Sequence, residues 1–123
     1  MSASGVSMEE FTAVGVVDDL TPGGMKEVEV KGKKVLLARI GDRFYATEGR
    51  CPHMGGILAS GKLEGNVVTC PRHGSQFDVT DGKLIRWTRY TGLMRSMATM
   101  VKTPRGLKTY PVKAEAGKVS VKV

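Results

Sequence analysis

The chain predicts an all-β fold: an antiparallel β sandwich or barrel core with a small subdomain inserted between its two halves. Three observations carry this. Short apolar or alternating runs recur at roughly 8–12-residue spacing, separated by Gly, Asp and Lys turns. Sustained helical periodicity is missing outside one stretch around Met94, Met97 and Met100. The cysteines and histidines all fall in one middle stretch, between two strand-rich ends.

The elements follow in order. "FTAVGVV" (11–17) is apolar and β-branched and ends at the turn cluster "DDLTPGG". "MKEVEV" alternates charge with apolar side chains, as a strand with one wet face does, and "KGKK" turns it into "VLLARI". "GD" turns again into "RFYAT". "KLEGNVVTC" reads as a hairpin turning at "EGN", and "GSQFDVTDGK" as another turning at "DG". The tail repeats the habit with "LKTYPVKA", a turn at "EAGK", and "VSVKV". Near the start, "MEEF" is the one further place where a short helical turn is expected.

A chain of 123 residues suits one domain and buries a modest core without disulfides. The start, "MSASGVSMEEF", lacks the basic and apolar regions of a signal peptide, and no apolar run approaches the roughly 20 residues of a membrane span. A reducing, cytoplasmic setting is expected. Net charge is +7, and it is unevenly spread. Residues 1–82 are net −2, whereas residues 83–123 carry ten Lys/Arg against one acid, Glu115. Such a basic end suits an acidic partner surface, nucleic acid or an anionic membrane, or simply a solvated face.

The two cysteines and two histidines come as matched pairs: Cys51 and His53 in "CPH", Cys70 and His73 in "CPRH", with sixteen residues between the pairs. Three chemistries use such residues. A structural zinc site needs four ligands converging on one ion, and it usually takes both sulfurs of a knuckle from one loop. A Cys–His nucleophile needs one activated thiolate and leaves the symmetry unexplained. A binuclear cluster with two sulfur and two nitrogen ligands needs each loop to give one ligand to each iron. The third fits the pairing best.

"CPHMGG" and "CPRHGSQF" resemble the paired boxes of the Rieske family, C-x-H followed by C-x-x-H. The resemblance extends to "GDRFYATEGRCPH" and to the closing strands, and it is closest to soluble Rieske ferredoxins. It implies a single Rieske domain over 1–123: a cluster-binding subdomain at about 47–85, and a basal β core from about 8–46 and 106–123. It implies one [2Fe–2S] cluster per chain, with Cys51 and Cys70 on one iron and His53 and His73 on the other. Gly55, Gly56 and Gly74 then let the loops turn sharply, Pro52 and Pro71 stiffen them, and Met54 shields the cluster. Both imidazoles are expected at the molecular tip.

In such a cluster two ferric ions, two sulfides and two thiolates sum to zero, and one electron makes the total −1. Neutral imidazoles in place of two thiolates raise the potential to about −150 to +300 mV, against about −400 mV for plant-type ferredoxins. The Rieske proteins of respiratory and photosynthetic complexes add a disulfide between the boxes, where this chain has Gly56 and Arg72. They also use a serine and a tyrosine to hydrogen-bond the sulfurs. Ser75 keeps the first hydroxyl and Phe77 lacks the second, so the low end of the range is expected.

The resemblance covers essentially the whole chain except a segment from about 86 to 105, between Lys83 and Leu107. Here "LIRWTRYTGLMRSMATMVKTPRG" brings Arg86, Arg89, Arg95, Lys102 and Arg105 with no acid. It is either a basic docking surface for an acidic partner or a loop whose methionines and Trp87 pack back on the β core. Pro104 is a candidate for the proline that covers the cluster in soluble Rieske ferredoxins.

The function implied is one-electron transfer, with a flavoprotein reductase as donor and a terminal oxygenase as acceptor, and no bond-making chemistry in the chain itself. The alternative is an accessory subunit of a nitrite-reductase-like oxidoreductase. A zinc-stabilised nucleic-acid binder is a third class, which the lack of an aromatic stacking face disfavours.

Overall fold

The computed structural model describes residues 11–53, 55–87 and 104–123. Its strands are β1 (Thr12–Val16), β2 (Met25–Val30), β3 (Lys33–Ile40), β4 (Arg43–Glu48), β5 (Lys62–Glu64), β6 (Val67–Thr69), β7 (Gln76–Asp78), β8 (Leu84–Arg86), β9 (Thr109–Tyr110), β10 (Val112–Glu115) and β11 (Lys118–Val121). Every strand pairing is antiparallel. Among the described residues only two single 3-10 turns, Val17–Asp19 and Leu58–Ser60, are helical. "MEEF" lies almost wholly outside the described residues.

Three sheets result, in the orders β1-β11-β10, β2-β3-β4-β9 and β5-β6-β7-β8. Most strands keep the expected places, because alternation and turn residues act over a few neighbours. β2 runs from Met25 to Val30 as the charged-apolar alternation requires. β3 begins earlier than the apolar run "VLLARI". Its turn needs only Lys31 and Gly32, both left-handed, so Lys33 and Lys34 join the ladder. There Lys34 lies directly across from Glu29, with its Nζ 2.8 Å from the carboxylate.

β3 also decides the layering. Val35, Leu36, Leu37 and Ala38 are all buried, so this strand has no wet face over its middle. Val35 and Leu37 point to a core shared with Leu20, Val30, Ala46, Val119 and Val121, between the β2-β3-β4-β9 and β1-β11-β10 sheets. Leu36 and Ala38 point the other way, to a core with Leu58, Val68, Phe77, Val79, Trp87 and Leu107, and this one also holds Cys51 and Cys70. The side-chain period of two thus sends alternate residues of one strand into two cores. The small third sheet is fastened to the base through the second of them.

A polar clamp closes the same junction. Glu48, the last residue of β4, accepts hydrogen bonds from Arg105 at 2.7 and 3.0 Å and from the Lys108 N–H at 2.8 Å. Partial burial pushes the Glu48 carboxyl up, but the Arg105 guanidinium and the Lys108 N–H outweigh it and leave the pKa below the usual value. A carboxylate with a depressed folded pKa contributes stability above its ordinary pKa and loses it as pH falls through the folded value. Glu48→Gln is therefore expected to cost about 1 kcal/mol near neutrality, a figure limited by the half-exposed Arg105 side chain. It is also expected to flatten the acid limb of stability against pH, as read by urea titrations between pH 3 and 7.

Candidate metal centre

Two loops, one before β5 and one before β7, are closed by the same backbone bonds. In the first, Cys51 N–H donates to the Gly56 carbonyl at 2.8 Å and Gly55 N–H to the Cys51 carbonyl at 2.7 Å. In the second, Cys70 N–H donates to the Ser75 carbonyl at 2.8 Å and Gly74 N–H to the Cys70 carbonyl at 3.1 Å. The fifth residue of each loop is a left-handed glycine, Gly55 at φ +75° and Gly74 at φ +77°. Only glycine takes that conformation at no steric cost, which is why the loops can reverse so tightly. The first loop is braced by an isolated bridge between Arg50 and Ile57. The second leaves β6 and re-enters β7, which pair with each other.

This symmetry brings like donors together. Cys51 and Cys70 are buried and not joined by a disulfide, 3 % and 2 % exposed. The hydrogen bond that the Cys70 S–H donates to Cys51, with burial, pushes the Cys70 thiol up, while the N–H groups of Arg72 and His73 pull against that rise. The His53 and His73 rings meet edge to face, with centroids 5.0 Å apart. The four predicted ligands are thus gathered as a sulfur pair and a nitrogen pair. Among the described residues no three Cys, His, Asp or Glu side chains gather as ligands of a single ion. Two buried sulfurs in contact cannot both be thiolates without a cation between them. This donor set fits a binuclear iron centre with sulfur at one end and nitrogen at the other.

Gly56 supplies a second fit. A Cβ there would lie 2.6 Å from Cys70 Sγ and 3.0 Å from Arg72 Cγ. The two positions that carry the extra cysteines in high-potential Rieske proteins do face each other, but here an arginine stem lies over a bare backbone. Phe77 is fully buried in the core beside the cysteines. Met54 lies outside the described residues, as do Met94, Met97 and Met100.

The Ser75 hydroxyl, expected on a sulfur of the cluster, donates to the backbone carbonyl of Trp87. One expectation changes. Of the imidazoles expected at the tip, His53 is only 3 % exposed whereas His73 is half-buried. The Trp87 ring packs against His53, with the two ring centroids 5.0 Å apart at an interplanar angle of 67°. Of the two readings of the basic stretch, core packing therefore holds for Trp87. Sequence reasoning did not place Trp87 in the site. Its signal was present: the chain's sole tryptophan, at the end of the short run "LIRW". Arg86 was missed too, and its guanidinium donates to the Gly74 carbonyl at 3.1 and 2.9 Å.

The chain belongs to the Rieske [2Fe-2S] domain family, whose model matches residues 10–111. Within that family it is similar to ferredoxin components of oxygenase systems. It is 33% identical over 107 residues to the ferredoxin component of naphthalene 1,2-dioxygenase/salicylate 5-hydroxylase systems of Ralstonia sp., covering 87% of this chain and 89% of that protein. It is 33% identical over 113 residues to the ferredoxin component of the alkene monooxygenase system of Xanthobacter autotrophicus, covering 91% and 80%. Among solved structures, the ferredoxin of carbazole 1,9a-dioxygenase from Nocardioides aromaticivorans superposes with a TM-score of 0.74 at 25% identity, covering 91% of this chain and 96% of that one.

Gly56→Ala tests the closeness of the two loops. The added methyl must displace Cys70 Sγ or the Arg72 stem, an overpacking cost of about 1–3 kcal/mol. The variant is expected to fold but to be purified with most of its iron missing, as read by metal assay against far-ultraviolet circular dichroism.

Proposed function

We propose that this chain is a Rieske-type ferredoxin, a one-electron carrier that passes electrons from a flavoprotein reductase to an oxygenase-type acceptor. Cys51 and Cys70 would hold one iron and His53 and His73 the other, in one [2Fe–2S] cluster per chain. The cluster, when bound, takes up and gives back a single electron. The carrying observation is the segregation of the four donors into a buried sulfur pair and an imidazole pair by two loops of equal closure. The kinship to ferredoxin components supports the same role and weighs against an accessory subunit.

The chain's own residues do the rest of the work. The paired loops hold the ligands at fixed separation before any metal arrives, so little reorganisation accompanies electron transfer. The Arg72 and His73 N–H groups, bonded to Cys70 Sγ, favour negative charge on that sulfur. Phe77 has no hydroxyl to add to them, and Ser75 Oγ donates to the Trp87 carbonyl. Fewer hydrogen bonds to sulfur favour the oxidised state and lower the potential.

The division that goes with this proposal is a cluster-binding subdomain of about 47–85 set in a base of about 8–46 and 106–123. A cytoplasmic location and an acidic partner surface opposite the basic segment 83–123 belong to it as well. Among the described residues no helix is long and apolar enough to cross a membrane.

Purified protein is expected to be red-brown, with about two irons and two acid-labile sulfides per chain. It should give a Rieske-type EPR signal after dithionite, and a midpoint near the low end of about −150 to +300 mV. His73→Ala and Cys70→Ala should each abolish the signal. Colourless protein with zinc and no sulfide would overturn the proposal.

A further inference from the structure

Trp87 follows β8 directly and is 6 % exposed, with its ring edge-on to the His53 imidazole. Its indole N–H is buried and has no hydrogen-bond partner among the described residues, so no polar bond of the ring to them holds the ring in place. The backbone holds it. Ser75 donates its hydroxyl proton to the Trp87 carbonyl, and the neighbouring Arg86 guanidinium donates twice to the Gly74 carbonyl. Both anchors stand on the loop that carries His73. The ring they place lies on the histidine of the other loop.

We propose that Trp87 is a positioning residue that caps His53, making the two imidazoles inequivalent and leaving His73 as the side open to solvent and to a redox partner. This rests on the proposal that these histidines hold iron. The indole ring removes water from one imidazole and lowers the local dielectric around it, which disfavours the more negative reduced state. The other imidazole keeps its access to solvent, so electrons have a short path out on that side. The cap also joins the two boxes mechanically, because the second loop fixes the cover of the first.

The chain has only two histidines, so the cap can be read by acylating the as-isolated holoprotein with diethyl pyrocarbonate and mapping each site by mass spectrometry. His73 is expected to react, with His53 slower by about tenfold or more, since its exposure needs a local opening. Trp87→Ala should bring the two rates together and shift the midpoint potential upward. Trp87→Phe, which keeps an aromatic cover and loses an N–H that bonds none of the described residues, should stay close to the parent in both readings. Ser75→Ala should raise the His53 rate by freeing the Trp87 carbonyl. Equal rates in the unmodified protein would overturn the cap, and so would protection of His53 that survives Trp87→Ala. Iron and sulfide assays on the same samples separate the two proposals. Their absence would remove the cluster, while the acylation rates would still report whether Trp87 covers His53.

Discussion

Contact between two buried cysteines is the constraint on which the rest depends. Cys51 and Cys70 come from loops nineteen positions apart, and each is nearly inaccessible to water. Sulfur atoms so placed compete for a proton unless a cation neutralises them, and that competition shows as the raised Cys70 pKa. The backbone geometry around them serves this meeting. Both loops close from a cysteine N–H to a carbonyl five residues on, and both reverse through a left-handed glycine. Gly56 then leaves out a Cβ that would press on Cys70 Sγ.

The support behind the loops is a strand with two buried faces. β3 gives Leu36 and Ala38 to the core that holds the cysteines, and Val35 and Leu37 to the core between the base strands. Deforming one core therefore disturbs the other, which keeps the ligand loops on a rigid footing. Burying a large aliphatic side chain is worth about 1.5–3 kcal/mol, and several do so on each face of this strand. Polar ties contribute less individually but settle direction. Glu48 gathers Arg105 and Lys108, so the chain re-enters the base beside the first loop. Ser75 and Arg86 do the same for the exit from β8.

The charge asymmetry now has a partial place. Among the basic residues near the site, Arg86 and Arg105 are spent on internal partners, the Gly74 carbonyl and the Glu48 carboxylate. They act as structural fasteners at the two ends of the stretch that departs from soluble Rieske ferredoxins. Arg72 lies with its stem over Gly56 and its backbone N–H bonded to Cys70. Part of what composition suggests as a docking face is thus occupied in holding the site together.

Sequence alone determined the fold class, most strand positions and the four ligand candidates, because these are written in local signals. Alternation sets a strand's face, Gly and Asp set its turns, and a Cys–His pair at each of two loops advertises a metal whatever surrounds it. Tertiary structure decided what depends on partners distant in the chain. Nothing in "LIRW" states that its tryptophan covers His53, and nothing in "CPRHGSQF" states that Ser75 bonds a carbonyl twelve residues later. The double burial of β3 is equally invisible in "VLLA", since a continuous apolar run is compatible with a buried strand or a buried helix segment alike. A hydroxyl goes to whichever acceptor the packing presents, and an aromatic ring to whichever surface most needs shielding. Those choices are made only when the two halves of the fold meet.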